Sequence, residues 1–147
     1  MRKIILILAL LLMPAVALAA PVERSGPAQM AAGEEASFEI NIAPDQGMEG
    51  FDVVEMLPQG WEISDWSVEG YDGSVGFNTY EHAYRGKDYS MYHWKFGELT
   101  SAKIRYTLTP KAGEWTVVTL WTYPDGFGTK ESKLSVSSGP TGFATAL

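Results

Sequence analysis

The feature that most constrains this chain is a period-two alternation of apolar and polar residues, repeated in short runs between turn signals. Ala36, Phe38, Ile40 and Ile42 alternate with Ser37, Glu39 and Asn41. Ala102, Ile104, Tyr106 and Leu108 alternate with Lys103, Arg105 and Thr107. Successive side chains of a strand point to opposite faces, so each run predicts a strand with one buried face. Phe51 to Met56 reads as another strand, stopped by Leu57-Pro58-Gln59-Gly60. Trp61, Ile63 and Asp65 share one phase, and the apolar phase then shifts to Trp66 and Val68, which predicts a bulge or bend. Tyr92, Trp94 and Phe96 share a face, as do Trp115, Val117, Thr119 and Trp121, and Leu134 and Val136 close the pattern. Turn signals separate the runs at Pro44-Asp45-Gln46-Gly47, Pro110-Lys111-Ala112-Gly113 and Pro124-Asp125-Gly126. No segment after residue 20 keeps a helical apolar period. The expectation is an all-β antiparallel β-sandwich of about seven or eight strands.

The N-terminus obeys different rules. Arg2 and Lys3 precede an unbroken apolar run from Ile4 to Leu12, Pro14 interrupts the stretch beyond it, and Ala17-Leu18-Ala19 is a small-x-small cleavage site. This is the layout of a secretory signal peptide over residues 1–19. The alternative is an uncleaved anchor, for which Ile4 to Ala20 is at the short limit of a membrane span. Residues 20–33, rich in Ala, Gly, Pro and Ser, read as a flexible leader with a short strand near Val22-Glu23-Arg24. The sandwich is expected over residues 34–137 and a mobile tail over 138–147. The protein is therefore expected outside the cytoplasm, secreted or at the cell surface, with membrane contact only through the N-terminal segment if that is retained.

The formal charge is -7, and removal of Arg2 and Lys3 with residues 1–19 takes it from -7 to -9. Such a chain lacks the basic patch that phosphate neutralisation needs, so nucleic acid is not an expected partner. There is no Cys, so no disulfide framework supports the fold and burial alone must do so.

Several motifs occur in a familiar order. Glu55-Met56-Leu57-Pro58-Gln59-Gly60-Trp61 is followed by Trp94, by Ile104-Arg105-Tyr106-Thr107-Leu108-Thr109-Pro110, and by Ala112-Gly113-Glu114-Trp115-Thr116-Val117. Tyr123-Pro124-Asp125-Gly126 and Leu134-Ser135-Val136 complete the series. This pattern resembles immunoglobulin-like modules of bacterial and archaeal surface proteins, and is similar to polycystic-kidney-disease-like modules. The resemblance covers about residues 34–137. It implies an immunoglobulin-like sandwich and a role as a stalk, adhesion unit or filament component. Such modules usually stand among many others, whereas here one fills almost the whole chain, which favours a subunit or a binding protein.

Catalytic signatures are sparse. His82 and His93 are the only histidines; with Glu81 or Asp88 they offer ligand types for a metal, but at no recognised spacing. No G-x-S-x-G elbow is present, and Ser74 and Ser90 carry no triad signal. Glu49, Asp52 and Glu55 lie close together, and their expected place is the solvent face of an edge strand rather than a carboxylate pair for glycoside hydrolysis. Asp45, Glu49 and Asp52, or Asp72 and Asp125, supply the hard oxygens that calcium takes, without a D-x-D-x-D-G loop; the plainer reading is acidic solubility. No other cofactor is expected.

Aromatic residues are the sharpest feature, with five Trp and seven Tyr. Trp61, Trp94 and Trp115 fall in strand patterns and are expected in the core. Trp66, Tyr71, Tyr80, Tyr84 and Tyr89 flank or occupy loops and form a candidate exposed patch for a glycan or a protein surface. The leading expectation is a non-catalytic extracellular module for adhesion or surface assembly, with surface proteins, copies of itself or extracellular glycans as partners. The alternatives are a carbohydrate-binding domain using the aromatic patch, and a secreted enzyme with an unrecognised site. The termini offer a further idea, an extended segment donated to a neighbouring sandwich.

Overall fold

The computed structural model describes residues 21–44 and 46–138. The expected signal peptide at 1–19 and the tail at 139–147 lie outside the described residues, as does Asp45. Every element described is a strand: β1 (Val22–Ser25), β2 (Gln29–Ala31), β3 (Ala36–Ile42), β4 (Phe51–Pro58), β5 (Ile63–Glu69), β6 (Gly76–Tyr84), β7 (Lys87–Phe96), β8 (Ala102–Leu108), β9 (Gly113–Tyr123) and β10 (Gly126–Ser137). They form two sheets, four strands in the order β1-β3-β8-β5 and six in the order β2-β10-β9-β4-β7-β6. One apolar cluster joins residues of both sheets, including Phe38, Ile40 and Ile104 from the first and Val53, Trp94 and Val117 from the second. This is a β-sandwich.

Two features differ from the sequence reading. There are ten strands rather than seven or eight, and one neighbour pair, β2 with β10, is parallel. β1 and β2 come from the segment expected to be a flexible leader. Residues 22–25 pair with 39–42 of β3, and Val22 is buried. β1 is the short strand expected near Val22-Glu23-Arg24; β2, among small residues and Pro, was not expected, and its strand character comes from docking onto the sandwich rather than from local propensity.

The Leu-Pro-Gln-Gly-Trp step has a mechanical explanation. Trp61 N–H donates to the Pro58 carbonyl at 3.0 Å, closing a turn, and Gly60 sits at φ 87°. That left-handed conformation favours Gly and sends Trp61 back under the sheet, where it is 1% exposed. Trp61 and Trp94 are fully buried as expected, while Trp115 is half-buried and meets Trp61 edge-on at 5.4 Å. The β5 register shifts between Ile63 and Asp65, where the sequence changes phase.

Glu55 overturns its expected place. β4 is an interior strand between β9 and β7, and Glu55 faces the other sheet with 0% exposure. Arg24 of β1 donates from Nε to Glu55 Oε2 at 2.7 Å, and Thr119 of β9 donates from Oγ1 to Oε1 at 2.5 Å. The Tyr106 hydroxyl of β8 donates to Glu55 Oε2 and accepts from Arg24 Nη2 at 3.0 Å. The Arg24 guanidinium also lies 4.5 Å over the Phe38 ring. Burial alone would lower the Arg24 pKa, but Glu55 and Tyr106 outweigh it and hold it above its ordinary value. Burial, and then the Glu55 charge, push the Tyr106 hydroxyl well above its ordinary value.

Arg24→Ala leaves a buried carboxylate without its cation and is expected to cost about 3–5 kcal/mol in urea unfolding. The double variant Arg24→Met with Glu55→Leu is expected to cost less than that single change. The Tyr106 proton is held more tightly in the folded than in the unfolded chain. Its contribution is therefore complete below the unfolded value of 10.0 and declines as pH rises above it. Above that pH, Tyr106→Phe is expected to lose stability less steeply than the parent, by up to about 1.4 kcal/mol per pH unit, the effect of one proton.

Candidate functional site

Of the five residues expected to form one aromatic patch, the fold brings together only parts. Trp66 on β5 faces inward, its ring 4.7 Å from Phe77 and 6.0 Å from Trp94. The Tyr71 hydroxyl accepts the Gly97 N–H at 3.0 Å while its ring meets Phe96 edge-on. Tyr89 is buried at 6% exposure and packs edge-on to Tyr84 at 6.4 Å. Burial, followed by the Glu131 charge and Tyr84, raises the Tyr89 pKa. Tyr80 alone of the five stands well exposed, at 40%.

The outer face of the six-stranded sheet carries a second apolar cluster that the sequence did not announce. Val54, Met56, Tyr89, Met91 and Val118 are buried there, with Tyr84 and Leu120 packed against them. Strand alternation puts these residues on the side away from the main core, so something must cover them. The β6–β7 hairpin does part of this. Its turn, Arg85-Gly86, has φ of 50° and 79°, as a two-residue type I′ turn requires. Tyr84 lies on the cluster, Arg85 stands 5.2 Å over the Tyr84 ring, and its guanidinium reaches Glu131 of β10 at 3.7 Å.

Beside this cluster, His93 Nε2 lies 3.0 Å from Asp52 Oδ2, and His93 Nδ1 lies 3.4 Å from the Tyr80 hydroxyl. Asp52 is thus engaged by a histidine, and Glu49 stands exposed in a loop. Among the described residues, no group of three or more His, Cys, Asp or Glu is placed to hold a metal ion. His82 is opposite Tyr89 and His93 opposite Asn78, so the two histidines are well separated along the β6–β7 ladder. Ser90 donates to Glu81 Oε1 at 2.8 Å and accepts the Gly60 N–H at 3.1 Å, both structural contacts. An open cleft of about 400 Å³ at the other end of the sheet is lined by Lys87, Asp88, Tyr89, Glu114 and Trp115.

The sheet edges differ sharply. β1 and β2 are short, at four and three residues. β5 carries its bulge together with Asp65 and Glu69. These are the usual defences of a sheet edge. β6 has none of them: it is nine residues long, Gly-Phe-Asn-Thr-Tyr-Glu-His-Ala-Tyr, with one carboxylate, no Pro and no Lys. All but its last residue are exposed. Thr79 N–H donates to the Asn78 side-chain oxygen at 3.0 Å, so it is turned away from the β7 ladder. By alternation, the backbone groups of Phe77, Thr79, Glu81 and Ala83 face outward, unpaired by β7.

No protein-family model matches the chain, and no curated protein matches it. Among solved structures it is similar to a cohesin module from a Clostridium perfringens family 33 glycoside hydrolase, at 12% identity and TM-score 0.48, covering 80% of this chain and 96% of that one. It is similar to BslA, a bacterial hydrophobin, at 12% identity and TM-score 0.45, covering 78% and 97%. A non-cellulosomal cohesin from Archaeoglobus fulgidus gives 9% identity and TM-score 0.38, covering 81% and 86%. With scores below 0.5, these likenesses say nothing about what this chain binds.

The outer cluster gives a direct test. Tyr84→Ala is expected to cost about 1–3 kcal/mol of stability and to increase binding of an apolar dye, because it uncovers Tyr89 and the cluster that Tyr84 packs against. Urea unfolding and dye fluorescence check the two effects together.

Proposed function

We propose that this chain is a non-catalytic, extracytoplasmic binding module that works in adhesion or surface assembly, built as an immunoglobulin-like sandwich. The observation that carries the reading is the edge of β6, unguarded among the described residues and nine residues long in a sandwich whose other edges are short, bulged or charged. Monomeric proteins protect such edges, and strand addition is a recurrent mode of protein recognition. Two features support the location: the signal-like segment at 1–19 and the sequence resemblance to surface modules. The acidic charge supports a soluble, self-repelling chain that associates only where short-range contacts outweigh repulsion.

A carbohydrate reading has one observation in its favour, the cleft that places Trp115 and Tyr89 beside Asp88 and Glu114. Retention on polysaccharides, lost on Asp88→Ala with Glu114→Ala, is its expected signature.

The leading reading is tested by co-sedimentation of the purified mature protein with intact cells and with extracellular polymers. Retention is expected, with a reduction of about tenfold in Thr79→Pro. Proline at an outward-facing edge position leaves the β6–β7 ladder intact but blocks a new strand. A protein that stays monomeric and is retained by neither cells nor polymers would sink the reading.

A further inference from the structure

We infer that β6 is a homotypic interface: two copies of this chain pair their β6 strands antiparallel about a two-fold axis through Tyr80, joining their six-stranded sheets into one. The inference rests on the edge proposed above as a binding surface, and it names the occupant as a second copy.

The backbone groups that face away from β7 fix the possible registers. Those of Thr79 point away from β7, as its N–H bond to the Asn78 side chain shows. An antiparallel pair exchanges bonds between residues that both face the partner, so odd-numbered β6 residues must oppose odd-numbered ones. An axis at Tyr80 satisfies this. Thr79 lies opposite Glu81 of the second copy, Phe77 opposite Ala83, and Tyr80 opposite its own counterpart. All nine residues of the strand find a partner in this register.

The same register keeps like charges apart. Glu81 is the sole carboxylate of β6, and it faces a threonine. An axis one residue further on, at Glu81, would set two carboxylates against each other. That arrangement is destabilising when like charges stand directly opposite. Faces match as well. A two-fold axis perpendicular to the sheet keeps outer faces together, so the two exposed Tyr80 rings meet beside their His93 partners. Asn78 holds the Thr79 donor in the free protein and releases it to the second copy. The area of one strand pair is at or below the low end for stable complexes, so the association is weak, and the overall charge of -7 opposes it. Added salt screens that repulsion without weakening the strand pairing.

The absence of Cys allows a clean test with the full mature chain. In this register Tyr80 and its counterpart form a pair without mutual backbone hydrogen bonds, with Cα atoms about 4.5 Å apart, within disulfide reach. Tyr80→Cys is expected to give a disulfide-linked dimer on mild oxidation. Asn78→Cys, displaced from its counterpart by about four residues along the paired strands, is expected to stay monomeric. Sedimentation equilibrium of the parent should show a dimer that tightens with salt, and Thr79→Glu should weaken it about tenfold by opposing Glu81. Equal cross-linking of both Cys variants would overturn the inference. So would a dimer indifferent to Thr79→Glu, which would place the contact elsewhere, a donated terminus included. A parent that stays monomeric at millimolar concentration in high salt would overturn it too. If that monomer is still retained by cells through β6, the adhesion reading stands and only the homotypic occupant falls. A dimer retained on no surface would do the reverse.

Discussion

The sandwich depends on one buried carboxylate. Glu55 lies on the inner face of the central strand β4, with no exposure, in a position where the alternation calls for an apolar residue. An unpaired charge there would be prohibitive. It is tolerated because both oxygens are occupied: Arg24 and Tyr106 share one, and Thr119 takes the other. Those partners come from β1, β8 and β9, so a single side chain ties the two sheets together and fixes β1 to them. Apolar burial is less directional than hydrogen bonding, although close packing also resists sliding of one sheet over the other. The four-member polar network adds directional contacts between the sheets. Replacing a buried pair by well-packed apolar residues is often neutral or stabilising, so the network is better understood as a device for positioning than for stability.

That positioning explains why the leader became part of the domain. Arg24 sits in a segment rich in small residues and Pro, where the sequence offered a short strand but not its docking into the core. Its side chain reaches into the core, 4% exposed, and the strand around it comes with it. The partner of Arg24 is 31 residues away, Tyr106 is 82 away, and Thr119 is 64 from Glu55. Contacts of that range leave no periodic trace. What was legible was the alternation, and it located β3, β4, β5, β7, β8, β9 and the end of β10. The bulge in β5 was legible because a phase shift is a local signal. The Glu55 position was misread because a carboxylate near two others suggests solvent, and only the topology shows β4 to be interior.

The candidate site was legible in composition and not in arrangement. Aromatic residues between 66 and 89 stood out as unusual, but Trp66 and Tyr71 turned inward and Tyr89 went under the hairpin. The reason is that the sheet has two apolar faces. An apolar outer face requires a cover, and part of that cover comes from a hairpin tip leaning toward β10. The turn that makes it, Arg85-Gly86, lacks the Asn-Gly or Asp-Gly signature that would have marked it. The cleft at Trp115 and the Asp52–His93–Tyr80 contacts likewise join residues from strands far apart in the chain.

These contacts bear on what the free edge can do. Association costs the ordering of whatever it immobilises, and a flexible strand would lose much of its binding energy to that. β6 is held on both faces before any partner arrives. Phe77 packs on Trp66 and Trp94, Glu81 accepts from Ser90, Tyr80 contacts His93, and the hairpin tip is tied through Arg85 to Glu131. Its length is also spanned by an unbroken ladder to β7 from Gly76 to Tyr84. An exposed strand that is merely unprotected is a hazard, prone to slip register and pair with anything. One that is rigid, carries a single carboxylate and presents its outward groups in one parity restricts the registers open to it. The same features that leave β6 undefended therefore make it selective, which is the physical difference between an aggregation site and a recognition surface.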